Sequence, residues 1–213
     1  MTRIFSDVAV LPIHNRPFAR IAKRAIDFGI AGCMMIALSP LLLVIALAVA
    51  LDLRSSPLFF QVRVGLGQRL FRIVKFRSMR NKPDAGAPKW DAAERARVTR
   101  LGGFLRDFGI DELPQLWNII VGDMSIIGPR PPIESELEWY PEEALVAFEM
   151  RPGVLSLAAL RGRRSIPLVE RFQLHAQYVR EWSPALDWRI LVGVTRIVLL
   201  RQDAVERERL RGD

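Results

Sequence analysis

The chain has 213 residues, half of them hydrophobic, with one cysteine and a net charge of +8. A single cysteine excludes an intrachain disulfide, and with it a fold stapled by oxidation. The charge is uneven: residues 1–110 carry 18 Lys and Arg against 7 Asp and Glu, and residues 111–213 carry 13 against 16. The basic half is also the apolar half. That pairing points to an anionic bilayer surface, where each basic residue contributes roughly 1 kcal/mol. It does not point to nucleic acid, because no nucleic-acid motif accompanies the arginines.

Met1 to Phe18 is broken by Asp7, Pro12 and Pro17 and does not read as a signal peptide. The apolar segment is therefore expected to stay in the mature protein. It runs from Phe28 to Leu51, 24 uncharged residues between Asp27 and Asp52. As a straight helix it is about 36 Å long, against a hydrocarbon core of about 30 Å. Cys33 is a small membrane-buried side chain in this setting. Ser39-Pro40 lies at the midpoint. Pro40 cannot donate to the carbonyl of Ile36, so a kink is expected, with Ser39 bonding back to a carbonyl such as that of Met35. Basic residues flank both ends: Arg16, Arg20, Lys23 and Arg24 before, then Arg54, Arg63, Arg69 and Arg72 after. Positive flanks favour the cytoplasmic side. Two readings stay open, a kinked spanning helix and a re-entrant one that leaves by the face it entered.

Leu58–Val64 and Leu70–Phe76 are rich in β-branched and aromatic residues, and Gly65-Leu66-Gly67-Gln68 between them gives a turn, so a hairpin is predicted. Residues 81–91 read as a loop. Glu94–Phe108 reads as a basic amphipathic helix with a weak point at Gly102-Gly103. It either packs on the core or lies on a membrane.

The chemistry concentrates next. Leu113, Leu116, Trp117 and Ile120 share one helical face, with Asp111 as N-cap and Pro114 in the first turn. Capping and dipole compensation alone would explain Asp111 and Glu112. Adjacent carboxylates at a helix start also suit phosphate chemistry: Asp111 as a nucleophile, and Asp111 with Glu112 holding Mg²⁺ against a diphosphate. Lys75, Arg77 and Arg130 are candidate phosphate ligands, Arg130 stiffened between Pro129 and Pro131. His14 and His175 have no partners at metal-ligand spacing and read as structural or surface groups. Glu134–Glu149, with six glutamates and no Lys or Arg, reads as a solvated helical face. Phe172–Trp182 and Trp188–Leu200 read as helices, the last one core or interfacial. The tail from Arg201 is charged.

In combination and order these residues resemble a known family. The pieces are Lys23-Arg24-Ala25-Ile26-Asp27, Ser39-Pro40, Phe60-Gln61-Val62-Arg63 with Gly65, and Lys75-Phe76-Arg77-Ser78-Met79. They continue with Asp111 to Asn118, Gly122-Asp123-Met124-Ser125, Gly128-Pro129-Arg130-Pro131 and Arg151-Pro152-Gly153. The chain resembles the bacterial sugar transferases that are monotopic phosphoglycosyl transferases, over about residues 20–200. The resemblance implies a mainly α fold with a small β-hairpin. It implies an N-terminal segment at 1–19, a re-entrant helix-break-helix at 20–54 broken at Ser39-Pro40, a compact cytoplasmic catalytic domain with interfacial amphipathic helices at 55–200, and a charged tail at 201–213. The setting is the bacterial inner membrane, with the catalytic domain on its cytoplasmic face. The implied reaction moves a sugar 1-phosphate from a UDP-sugar to polyprenyl (undecaprenyl) phosphate and releases UMP. Asp111 attacks, Glu112 assists, and Mg²⁺ neutralises the diphosphate. Arg163, in the retained Gly162-Arg163, is a further substrate-binding candidate. A homodimer stays open through the late apolar helix. Two departures from the family pattern stand out, Val154 to Ala159 and His175. They support an alternative: a catalytically weakened membrane scaffold or regulator of polysaccharide assembly.

Overall fold

A computed structural model describes residues 17–80, 97–162 and 166–200. Arg163, His14, the predicted loop at 81–91 and the tail from Arg201 lie outside these residues. Helix α1 runs from Pro17 to Leu53. It begins eleven residues earlier than the apolar run, because the fixed φ of a proline suits the first helical position and the basic stretch after Pro17 finds partners on the domain. At 37 residues it is about 55 Å long. It is the one described helix long and apolar enough to cross a membrane.

The chain stays helical through Pro40, the expected point of the break. The reason is local. Pro40 leaves the Ile36 carbonyl without its usual donor, and the Ser39 hydroxyl supplies one at 2.8 Å. The bond goes to Ile36 rather than to Met35. Asp27, Ala31, Met35, Leu38, Leu42, Ile45, Val49 and Leu53 follow one another at spacings of three or four, which makes a single stripe. The stripe's first half joins a cluster with Ile73, Leu116, Ile119 and Met124. Its second half joins Phe76 and Leu105. The same domain therefore grips α1 before and after Pro40. The opposite face, including Ile30, Ile36, Leu43 and Leu47, is exposed. Cys33, on α1, is exposed at the protein surface.

Strands β1 (Leu58–Val64) and β2 (Leu70–Phe76) form the predicted hairpin, antiparallel, with Phe60 opposite Val74 and Gln61 opposite Ile73. The basic amphipathic helix is shorter than expected. Val98 forms a bridge with Met79, Thr99 accepts from Gly102 N at 2.9 Å, and α2 spans only Arg100–Asp107. Gly102 is no weak point. It presses against the Ser78 carbonyl, where a Cβ has no room. A 3₁₀ segment (Ile110–Gln115) then leads into α3 (Leu116–Val121).

The sequence patterning missed strands β3 (Ser125–Ile127) and β4 (Gly153–Leu155), a short parallel pair. Gly128 and Gly153 approach so closely that neither tolerates a Cβ. The glutamate-rich stretch is two 3₁₀ segments, Glu134–Trp139 and Glu142–Glu149, rather than one helix. Most of its glutamates are exposed, as expected, while Ala144, Ala147 and Phe148 turn inward. Short α4 (Leu157–Arg161) precedes α5 (Leu168–Arg180) and α6 (Pro184–Leu199). One face of α6 is core, with Leu186, Ile190 and Val194 packed on Tyr178, Val179 and Trp182, while Trp188 and Val192 are exposed.

A polar latch ties the start of α1 to this core. Lys23 Nζ is 2.7 Å from Asp187 Oδ2. Asp187 also takes the Trp182 indole N–H at 3.2 Å and lies 2.7 Å from the Tyr178 hydroxyl. Buried Asp27 accepts from the Ser125 hydroxyl at 2.7 Å and from Ile126 N at 3.3 Å. Arg24 donates to the Ile119 and Ile120 carbonyls, and Arg151 to the Gly122 carbonyl at 2.8 Å. Together these close the C-terminal end of α3.

Candidate active site

Gly109, at φ 67°, occupies the left-handed region and turns the chain from α2 into the 3₁₀ segment. Gly109, not Asp111, stands at the cap position, and no side chain caps this segment. Asp111 is therefore not spent as a cap.

Glu112 is paired with two cations. Its Oε1 lies 2.8 Å from Lys75 Nζ and 3.3 Å from Arg130 Nη2. Three separate elements thus converge: strand β2, the 3₁₀ segment, and the Pro129-Arg130-Pro131 loop. Burial pushes the Glu112 carboxyl up, but Arg130 and then Lys75 outweigh it and hold it at about 2. Burial and the Arg130 charge lower Lys75, against the pull of Glu112. Arg130, whose side chain is half exposed, is raised chiefly by Glu112.

Asp111 differs. It makes no hydrogen bond or ion pair among the described residues. Burial, then the neighbouring Glu112 charge, raises it to about 6. It remains mostly ionised at neutral pH, yet its charge is poorly compensated. Of two adjacent carboxylates, one orients the cations and the other is left available.

The Arg130 loop is tethered to the hairpin. Arg63 Nη1 donates to the Pro131 carbonyl at 3.0 Å, and Val64 N to the Pro132 carbonyl at 3.0 Å. Gln61 Oε1 accepts twice from Arg63, at 3.1 and 2.8 Å. Burial and the Arg130 charge bring Arg63 down to about 10. Arg77, expected beside the phosphate, instead donates to the Leu58 carbonyl at 3.3 Å, at the open end of the hairpin. Trp117, expected on the buried face, is exposed, and buried Asn118 takes the inward position. His175 is buried and structural; burial, then Arg130 and Arg171, lowers it to about 3.

Asn118 is the largest omission of the sequence reading. Its Oδ1 accepts from Val74 N at 3.0 Å and its Nδ2 donates to the Arg72 carbonyl at 2.7 Å. Its own carbonyl receives Gly122, Asp123 and Met124 N–H. One side chain thereby fixes α3, and the dyad before it, against β2. The signal was present: a lone amide inside Leu116-Trp117-Asn118-Ile119-Ile120. Gln61 and Arg63 were also findable, as the polar positions of a strand that otherwise alternates with apolar ones.

No group of three His, Cys, Asp or Glu side chains able to hold a metal occurs among the described residues. Asp111 and Glu112 alone do not form an all-protein cage. They do suit a magnesium ion that keeps waters and enters with a substrate diphosphate.

The fold and the site define a class: a small α-rich domain packed along one apolar helix, with a carboxylate pair set against fixed cations for chemistry on a phosphate. Comparison with known sequences makes this specific. The chain belongs to the bacterial sugar transferase family, whose model matches residues 18–201. It is 35% identical over 224 residues to a UDP-galactose-lipid carrier transferase of Erwinia amylovora, covering 96% of this chain and 46% of that one. It is 36% identical over 201 residues to the exopolysaccharide production protein ExoY of Rhizobium meliloti, covering 87% and 88%. It is 37% identical over 203 residues to a UDP-glucose:undecaprenyl-phosphate glucose-1-phosphate transferase of Caulobacter vibrioides, covering 88% and 75%. The chain thus spans about half the length of the Erwinia relative and most of the Rhizobium one.

Proposed function

We propose that this protein transfers a sugar 1-phosphate from a UDP-sugar to a polyprenyl phosphate, undecaprenyl phosphate by the Caulobacter relative's name, and releases UMP. The observation that carries this reading is the division between Asp111 and Glu112. An Asp111 oxygen attacks the β-phosphorus of the donor. The bond from that phosphorus to the bridging oxygen breaks, and its electron pair leaves on UMP. The phosphosugar remains on Asp111 as a mixed anhydride. An oxygen of the lipid phosphate then attacks the same phosphorus, freeing the Asp111 carboxylate and forming a polyprenyl diphosphosugar. Glu112 keeps the cations of Lys75 and Arg130 in place, where they stabilise the transferring phosphoryl group. Magnesium, held by Asp111 and Glu112 with the donor, would neutralise diphosphate charge.

The membrane placement rests on α1. A domain that grips one helix on both sides of Pro40 is hard to reconcile with a helix whose far end lies across the bilayer. This favours a helix that enters and leaves by the cytoplasmic face of the inner membrane, with the site at the interface. Relatives named for exopolysaccharide production suggest that the product starts such a polymer. The scaffold alternative is disfavoured by an uncompensated Asp111 beside an ion-paired Glu112, an arrangement that a scaffold does not need.

The test is UMP release from a panel of UDP-sugars with Mg²⁺ and undecaprenyl phosphate. One sugar should give lipid-dependent release that Asp111→Asn loses. Full release in that variant would refute the nucleophile assignment, and no release with any donor would favour the scaffold.

A further inference from the structure

The hairpin has a second face that the reaction does not use. Lys75 points to the dyad, so its neighbour Val74 points the other way. The register Phe60–Val74, Val62–Arg72 and Val64–Leu70 places all six residues on that other face, where Val64 and Val74 are buried and the rest are exposed. Phe60 is 55% exposed, Leu70 53% and Val62 45%. Alongside runs α3, with Trp117 55% and Val121 50% exposed, one turn apart. Phe60, Val74, Trp117 and Val121 wall a cleft of about 280 Å³, with Arg72 and Asp123 at its edge.

This arrangement does not suit a small polar ligand, because the Asn118 amide that reaches the cleft is already spent on β2. It suits lipid. Trp117 and Phe60 have the rigid aromatic bodies enriched at bilayer interfaces. Arg69 and Arg72 are exposed at the rim and complement anionic headgroups. The patch also adjoins α1, since Arg24 clasps the end of α3 that carries Val121. We propose that the outer face of the hairpin and the Trp117–Val121 face of α3 form a second membrane-docking surface, seated in an anionic phospholipid bilayer independently of α1. This rests on the membrane placement proposed above. Its consequence is orientation: α1 alone could pivot, whereas a helix and a sheet face together fix the height of the dyad above the lipid phosphates.

Spin labelling tests it in the full-length protein reconstituted into phosphatidylglycerol–phosphatidylethanolamine vesicles. The native Cys33 is labelled as the α1 reference. In a Cys33→Ser background, Phe60→Cys, Val121→Cys and Glu142→Cys are labelled separately. Collision rates with oxygen, which partitions into lipid, and with a water-soluble nickel chelate are compared. The oxygen-to-nickel ratio at 60 and 121 should match that at 33 and exceed that at 142 several-fold. It should fall when phosphatidylcholine replaces the anionic lipid, while the ratio at 33 stays constant. Ratios at 60 and 121 equal to that at 142, with 33 still in lipid, would overturn the docking surface and leave the anchor intact. A water-like ratio at 33 would instead refute the membrane placement itself. Shielding of 60 and 121 from both reagents would mean that another protein surface covers them, which also overturns the proposal. Either of the two labelled positions suffices if the other variant misfolds.

Discussion

Two buried carboxylate–cation networks in this molecule use the same ingredients to opposite ends. In the latch at the start of α1, both Asp27 and Asp187 are saturated, and Asp187 alone receives a lysine, an indole and a tyrosine. At the dyad, Glu112 is ion-paired to two cations and Asp111 is left without a partner. A buried charge is tolerable when paired and hydrogen-bonded, and costly otherwise. The latch spends its polar groups on a fixed geometry. The dyad holds one charge at a cost, and that is the charge the proposed reaction uses.

The strongest way to break the contrast is Asp111→Asn. Turnover should fall by on the order of 10³-fold or more, measured as UMP release. The same variant should be more stable than wild type. Asp111 has its folded pKa raised to about 6 from 3.8, so its ionised form destabilises the fold above that pH. Asparagine should gain roughly 1–3 kcal/mol at pH 7–8, and the gain should vanish below about pH 4. Thermal unfolding at the two pH values checks it; equal or lower stability at pH 8 would show that Asp111 is compensated after all.

The latch should respond in the opposite sense. Asp27→Ala leaves Ser125 and Ile126 N unsatisfied beside Lys23, and should cost about 3 kcal/mol at neutral pH. Denaturant unfolding in detergent reads this directly. Asn118→Ala, which removes both bonds to β2, should cost about 2 kcal/mol by the same assay. Its turnover should fall further than that of Asp27→Ala, because Asn118 holds the dyad and the latch holds only the helix.

A gentler probe is acid. If the Asp111 carboxylate is the nucleophile, UMP release should fall about tenfold per pH unit as pH drops below about 6. Glu112, held at about 2, should stay ionised throughout this range and continue to order Lys75 and Arg130. A flat profile down to pH 4.5 would remove Asp111 from the rate.

The parts of this fold that were legible are those set by near neighbours. Leu58–Val64 and Leu70–Phe76 were found with correct ends because β-branched runs and a glycine-rich turn are local signals. The late helices were found within a few residues, the last of them begun by Ser183, whose hydroxyl accepts from Leu186 N at 3.2 Å. The acidic pair and Arg130 were legible by residue type, and the structure does bring them together with Lys75. What stayed hidden depends on partners far along the chain. Lys23 meets Asp187 across 164 positions, and no spacing rule reports that. The 3₁₀ turn at Asp111 was read as a regular helix because Leu113, Leu116 and Ile120 keep helical spacing, while the left-handed Gly109 moves the cap upstream. The partner of the Ser39 hydroxyl was misplaced on Met35 because the rotamer, not the spacing, decides which carbonyl it meets, here that of Ile36.

The pairing of Asn118 with β2 has a further consequence, for what this protein must avoid. A two-stranded ribbon with an apolar face and a free edge is a template on which another chain can add a strand. By occupying Val74 N and the Arg72 carbonyl, the Asn118 amide ends the ladder there with a side chain. The ribbon can then keep its greasy face bare without recruiting copies of itself into an aggregate.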